Sequence, residues 1–172
     1  MSGRFTALLR AHEDALVRAW VDGIYADRRT DLPAMLSYRQ LVDSLPEVLT
    51  ELARLLDEAA DESQIVESAR WLRRHAQVRF QQGCLLDEVA RELMILRGVL
   101  NEFLWREGLA VTGGDLWELR AALGRANALL DELLAQTLLT YAVSLRPPVR
   151  TRTMPWPPAR RRKGRPEDEG EL

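Results

Sequence analysis

The residues of this chain that could carry chemistry are two histidines, one cysteine and a few charged side chains on otherwise apolar helix faces. Histidine acts as a general base or a metal ligand, and its neighbours decide which. Neither His12 nor His75 has a carboxylate or a second histidine three or four residues away, as a helical zinc or di-iron site requires. Both fit half-buried histidines satisfied by a hydrogen bond, with a pH-responsive group or a haem ligand as the alternatives.

The remaining candidates do not assemble into a catalytic pattern. The pair Gly113-Gly114 is not a phosphate-binding loop, and no serine lies in a nucleophile elbow. Cys84 lies at a turn beside leucines, without a basic neighbour to lower its pKa, and a single cysteine cannot form an internal disulfide. We therefore expect neither an enzyme nor a cofactor or metal site.

Arg79 and Glu92 occupy positions on the apolar faces of two successive helical patterns. Gly83 separates these patterns and is well placed to end the first helix, because glycine accepts the left-handed conformation. If the helices are antiparallel about this turn, Arg79 and Glu92 lie within one helical turn of each other, and His75 lies at a similar level. An unpaired buried charge is costly, so the sequence predicts an ion pair with His75 as a candidate third member. We interpret it first as a clamp that fixes the register of the two helices.

The elements that must position these residues are all helical. Apolar residues recur at spacings of three and four, and no segment alternates with a period of two, so the sequence predicts an all-α bundle of about five to six helices. Pro46 divides one helical region into a short and a longer segment, with Ser44 as the N-cap of the longer one. The predicted helical regions are residues 3–26, 36–59, 64–82, 85–107 and 115–145.

The last predicted helix carries a heptad seam over about three repeats, with further leucines beside it. A helix this apolar buries more than one of its sides. Two interpretations stay open: the helix is the centre of the core, or its seam packs against the same helix of a second copy in a four-helix interface. The seam residues are Leu123, Ala126, Leu130, Leu133 and Thr137.

Composition divides the chain into a helical domain, residues 1–145, and a tail, residues 146–172. The domain carries a formal charge of −6, whereas the tail carries +4 and six of the eight prolines. The tail has too few aliphatic residues to bury the apolar surface that would offset the entropy lost on ordering. It is therefore predicted to be disordered. Its basic run 160–163 could bind an anion, but the acidic domain argues against nucleic acid, and we expect none.

No apolar run approaches the roughly 18 residues of a transmembrane helix. The first residues also lack the pattern of a signal peptide. These features predict a cytoplasmic protein without a transmembrane segment.

The spacing of residues 75–97 resembles the N-terminal domain of RsbR-type (RsbRD) proteins, the stressosome co-antagonists of the bacterial general stress response. Similar domains precede the kinase core of some sensor histidine kinases. The resemblance covers about residues 1–145 and implies a globin-like all-α fold without haem, dimerisation through the late helices and a sensory or regulatory role. The residues that carry it are His75, Arg79, Gly83, Glu88, Glu92 and Arg97.

We therefore predict a non-catalytic sensory or regulatory domain of bacterial signalling. It would act through protein–protein contacts as a homodimer, together with a signalling partner that the sequence does not identify. The alternative is a haem- or tetrapyrrole-binding sensor of the globin type that uses His75 as the axial ligand.

Overall fold

A computed structural model of the chain describes residues 3–144. These described residues form nine helices and no strand, which confirms the predicted all-α class. The predicted tail, residues 146–172, lies outside the described residues. The helices are α1 (Arg4–Ala11), α2 (Glu13–Ala26), α3 (Leu32–Met35), α4 (Tyr38–Val42), α5 (Leu45–Asp57), α6 (Glu62–Leu72), α7 (Arg74–Gln81), α8 (Leu86–Val111) and α9 (Leu116–Ser144).

The helices outnumber the five to six predicted because two long predicted helices are divided and α3 forms in a predicted loop. The first division is at His12, whose Nδ1 lies 3.0 Å from the carbonyl oxygen of Leu8. The backbone N–H of His12 bonds to Leu9, three residues back. The second division is at Arg73, whose N–H bonds to Arg70 in the same way. Such three-residue bonds tighten and end a helical turn.

The predicted boundary at Pro46 is confirmed. α4 and α5 are separate helices, and Pro46 lies in the first turn of α5, where its missing N–H is not needed. Ser44 occupies the N-cap position, but its side chain does not cap the helix. Its hydroxyl oxygen lies instead 2.6 Å from Nδ1 of His75. The expected N-cap of α5 is therefore used in a contact between helices.

α8 and α9 form an antiparallel hairpin at the centre of the described structure, and the other helices pack around it. α6 and α7 lie against α9, α2 lies against α8, and α1 packs on α5. Leucines of the hairpin that are almost completely buried, such as Leu100, Leu104 and Leu129, fill the middle of the core. The two longest helices therefore form the centre against which most of the other helices pack.

The heptad seam of α9 is largely enclosed by the chain itself. Four of its five members are buried, and Leu123 is half-buried at the edge of the core. Packing within one chain accounts for this pattern, as the first of the two interpretations had it. A homodimer stays a prediction, and its interface could not use the four buried members of the seam. The four buried members are Ala126, Leu130, Leu133 and Thr137.

The ends of α5, α7 and α8 use the left-handed conformation, which Gly113 and Gly114 provide after α8 with φ 65° and 87°. Gly83 has φ 81°, and Cys84 N–H donates to the carbonyl of Arg79 at 3.0 Å, which confirms Gly83 as the end of its helix. Ala59 has φ 50° at the end of α5, where Ala60 N–H donates to Leu55. A residue with a Cβ is strained in this conformation, whereas glycine is not.

Ala59→Gly is therefore expected to stabilise the fold by about 0.5–1 kcal/mol, because the relieved strain exceeds the extra entropy of glycine in the unfolded chain. Urea unfolding at neutral pH measures this difference. The matched control is Ala121→Gly at an exposed position inside α9, which should destabilise the fold by about 1 kcal/mol. Equal destabilisation by both substitutions would contradict the strain at Ala59.

Candidate functional site: a buried charge cluster

Arg79 and Glu92 form the predicted ion pair between α7 and α8. Arg79 Nε lies 3.0 Å from Glu92 Oε2, and Nη2 lies 2.9 Å from Oε1. The planar guanidinium favours this bidentate arrangement with a carboxylate. Each side chain is only 1% exposed. At this depth, removing either partner would leave the other as a buried charge without a counter-ion.

The other N–H groups of Arg79 also find acceptors. Nη1 donates to the carbonyl of Gln40 at 2.9 Å and to Oε1 of Gln82 at 3.0 Å, and Nη2 donates to the carbonyl of Leu41 at 2.8 Å. Gln40 and Leu41 lie in the last turn of α4, where carbonyls lack partners within the helix and a cation is favourable. Arg79 thus caps α4 and joins it to α7 and α8.

His75 is the third member of the cluster. Its Nε2 lies 3.1 Å from Glu92 Oε1, and its Nδ1 lies 2.6 Å from the hydroxyl oxygen of Ser44. The buried Nε2 forms no aligned hydrogen bond, so its contact with Glu92 is electrostatic rather than a well-formed bond. Both ring nitrogens face protein groups, so this geometry does not favour His75 as an axial ligand of haem iron.

Ser44, His75 and Glu92 stand in the order of nucleophile, base and carboxylate in a hydrolase triad. Here, however, Arg79 pairs with the carboxylate at 2.9 Å. Glu92 is therefore shared between His75 and the guanidinium, and it is only 1% exposed. The arrangement therefore suits holding helices together better than activating the Ser44 hydroxyl.

The electrostatics of the cluster favour an ionised Glu92. Burial raises the pKa of Glu92, but the nearby His75 and Arg79 lower it by more, so the pKa lies below its ordinary value of 4.5. The backbone carbonyl of Glu92 also accepts a hydrogen bond from Trp20 Nε1 of α2, at 3.1 Å. The residue thus anchors α2 as well as α7.

Residues at the corner between α7 and α8 connect the cluster to α9. The hydroxyl of Tyr141 donates to the carbonyl oxygen of Cys84 at 2.6 Å. The rings of Tyr141 and Phe80 meet edge to face, with centroids 5.2 Å apart. Burial raises the pKa of the Cys84 thiol to about 11 and that of the Tyr141 hydroxyl to about 12. Both groups therefore stay protonated at neutral pH, and Cys84 is an inert buried thiol.

The last two motif residues lie outside the cluster. Glu88 accepts hydrogen bonds from the backbone N–H groups of Leu85, at 3.0 Å, and Asp31, at 3.1 Å, which ties the start of α8 to the loop before α3. Arg97 pairs with Asp131 and bridges α8 and α9 near the surface. The motif therefore combines one buried cluster with two further links from α8.

Three contributors to this region were not predicted as such. The sequence predicts Ser44 only as a helix N-cap, and it predicts no hydrogen-bond partner for Tyr141 or Trp20. Trp20 reaches a backbone carbonyl 72 positions away in the chain. A bond to a backbone carbonyl leaves no trace in residue type, so no pattern in the sequence could have indicated it.

The fold and the cluster together define an all-α domain whose helices are locked by one buried ion pair. Residues 14–152 match the family model described as RsbT co-antagonist protein rsbRD N-terminal domain, and the chain belongs to this family. The match confirms the resemblance carried by residues 75–97, and the family implies a stressosome-type signalling domain. No curated protein and no solved structure matches the chain.

None of the helices within residues 3–144 is long and apolar enough to cross a membrane. The same residues hold no group of three or more His, Cys, Asp or Glu side chains arranged to bind a metal ion.

Arg79→Met is expected to destabilise the fold by about 3–5 kcal/mol, because it strands the buried carboxylate of Glu92. Glu92→Gln strands the guanidinium and should also cost about 3 kcal/mol. Urea unfolding of both variants and of the double variant completes the cycle. The double variant should lose clearly less than the sum of the two. Additive losses within about 0.5 kcal/mol would show that the two side chains do not interact.

The lowered pKa of Glu92 predicts a specific acid sensitivity. A carboxyl group whose pKa is lower in the folded state contributes stability that is present above its unfolded pKa and is lost as pH falls through the folded pKa. Between pH 6 and pH 3 the free energy of unfolding should therefore fall more steeply in the wild type than in Glu92→Gln. Parallel curves in urea unfolding across this range would contradict the assignment.

Proposed function

We propose that this domain is a non-catalytic sensory or regulatory module that acts through protein–protein contacts and assembles as a homodimer in the cytoplasm. The observation that carries the proposal is an exposed, partly apolar face along the two longest helices of a chain that belongs to a signalling family. The stressosome-type role of the family supports a further signalling protein as partner.

The exposed face, called the hairpin face below, consists of one stripe on α8 and one on α9. The residues recur at spacings of three and four on α8 and at spacings of four and seven on α9, so they share one side of each helix. A groove of about 430 Å³ separates the stripes near the reciprocally bonded amides of Asn101 and Asn127. The hairpin face comprises Met94, Gly98, Asn101, Trp105 and Leu109 of α8, and Leu116, Leu123, Asn127, Leu134 and Leu138 of α9.

The hairpin face has the features of a self-association surface. Trp105 is 62% exposed, and Met94 and Leu116 are exposed to a similar degree. Single exposed apolar residues are ordinary, but the exposed apolar residues of α8, beside half-buried leucines of α9, form a larger surface of the kind that marks a contact. Two such hairpins packed face to face form a four-helix bundle with a symmetric interface.

The asparagine pair fits such an interface. Each amide donates to the oxygen of the other at 3.1 Å, and Asn127 also donates to the carbonyl of Leu123 at 2.9 Å. Covering the pair would therefore leave few polar groups without partners. A polar position within an apolar seam also fixes the register of the packed helices.

A non-catalytic role is supported by the charge cluster. The carboxylate of Glu92 is paired with Arg79, and both side chains are buried. The cluster is therefore suited to holding helices together rather than to binding a substrate. The buried Cys84, with its raised thiol pKa, suits a thiol that stays reduced. This fits the proposed cytoplasmic location.

Trp105→Glu in the full chain is expected to convert the dimer into a folded monomer, because it places a charge in the centre of the apolar interface. Sedimentation velocity gives the oligomeric state, and circular dichroism gives the fold. The matched control is Trp71→Glu on α6, whose side chain is equally exposed at 63%. This control should remain dimeric.

A second control separates the interface from the core. Leu130 is 2% exposed, so Leu130→Lys should unfold the domain rather than dissociate it. A wild-type chain that sediments as a monomer at tens of micromolar would refute the homodimer. Dissociation by Trp71→Glu and not by Trp105→Glu would place the interface elsewhere.

A further inference from the structure

α7 is held in place mainly by polar bonds. Its buried residues are only Ala76 and Arg79, and Phe80 is partly buried against the core. By contrast, α5 buries seven residues, all of them apolar. Elements with little apolar burial open at a lower free energy than the rest of a structure. The docking of α7 therefore depends on the bonds of Arg79 more than on hydrophobic contact.

The end of α9 is also held by few contacts. Beyond Thr137, Tyr141 is the only buried residue of the described part of α9, at 4% exposure, whereas Leu138, Leu139 and Val143 are exposed. Tyr141 contacts Phe80 of α7 and the carbonyl of Cys84. The buried contact of the last two turns of α9 is therefore made to α7 and the corner that follows it.

Arg79 connects these two weakly held elements. Its side chain binds Glu92, and its backbone carbonyl accepts the N–H of Cys84 at 3.0 Å. The carbonyl of Cys84 in turn accepts the hydroxyl of Tyr141. A displacement of α7 would therefore move the ring of Phe80 and the carbonyl of Cys84, which are the two groups that hold Tyr141.

We propose that α7 and the last two turns of α9 are one conformational switch, which the contacts of Arg79 and His75 with Glu92 keep in the docked state. When these contacts weaken, α7 leaves the core, and the end of α9 is released with it. The switch goes beyond the proposed function, since it needs neither a dimer nor a partner. A signal that acts on the cluster would thereby change the end of α9.

Hydrogen exchange of the full chain, read by mass spectrometry, tests the coupling. Glu92→Gln removes the charge that holds Arg79, and it should accelerate exchange in residues 75–82 and 138–144 together, by at least about tenfold. The matched control is Glu51→Gln, which removes a carboxylate that pairs with Arg54 and Ser68 between α5 and α6. This control should leave residues 138–144 unchanged.

A milder variant tests the switch from its other end. Tyr141→Phe removes one oxygen atom and should accelerate exchange in residues 138–144 and also in α7. Thr137→Val is its control, because the Thr137 hydroxyl bonds only to Leu133 within α9. Acceleration confined to α7 in Glu92→Gln, or confined to α9 in Tyr141→Phe, would overturn the proposal. If Glu92→Gln does not fold, the Tyr141→Phe result decides alone.

Discussion

A buried guanidinium needs an acceptor for each of its five N–H groups, and this requirement organises the structure around Arg79. Glu92, Gln82 and the last turn of α4 supply those acceptors. Glu92 in turn brings His75 within 3.1 Å, and its backbone receives the indole of Trp20. One charged pair thus fixes the positions of α2, α4, α7 and α8. The contact between His75 and Ser44 adds the start of α5.

Apolar residues of similar volume could have held these helices at least as firmly, because the desolvation of two charges offsets much of their attraction. Apolar contacts and ion pairs differ in how they respond when the helices move. Hydrophobic contacts weaken gradually as helices slide, whereas a bidentate pair requires one geometry. With only Ala76 and Arg79 buried on α7, that helix has one well-defined docked position. Directional bonds on a weakly buried element suit the proposed switch.

The parts of this arrangement that depend on local spacing could be predicted from the sequence. Arg79, Gly83 and Glu92 lie on two helices joined by a short turn, so their meeting follows from helical geometry alone. The breaks at His12 and Arg73 could not be predicted, because three-residue backbone bonds there override the periodicity. The seam of α9 was ambiguous for another reason. A helix surrounded by its own chain and a helix in a dimer interface have the same apolar repeat, and only burial separates them.

Burial also divides α9 into a side that packs in the core and a side that the proposed interface would use. Leu133 and Thr137 face the core, whereas Leu134 and Leu138 belong to the hairpin face. Leu138 lies one turn before Tyr141, the residue that docks the end of α9 on the α7–α8 corner. A partner that binds the hairpin face only when this end is docked must also stabilise the charge cluster, because the coupling between two sites is reciprocal. In the proposed dimer, the clamp would therefore be the element through which association and conformation influence each other.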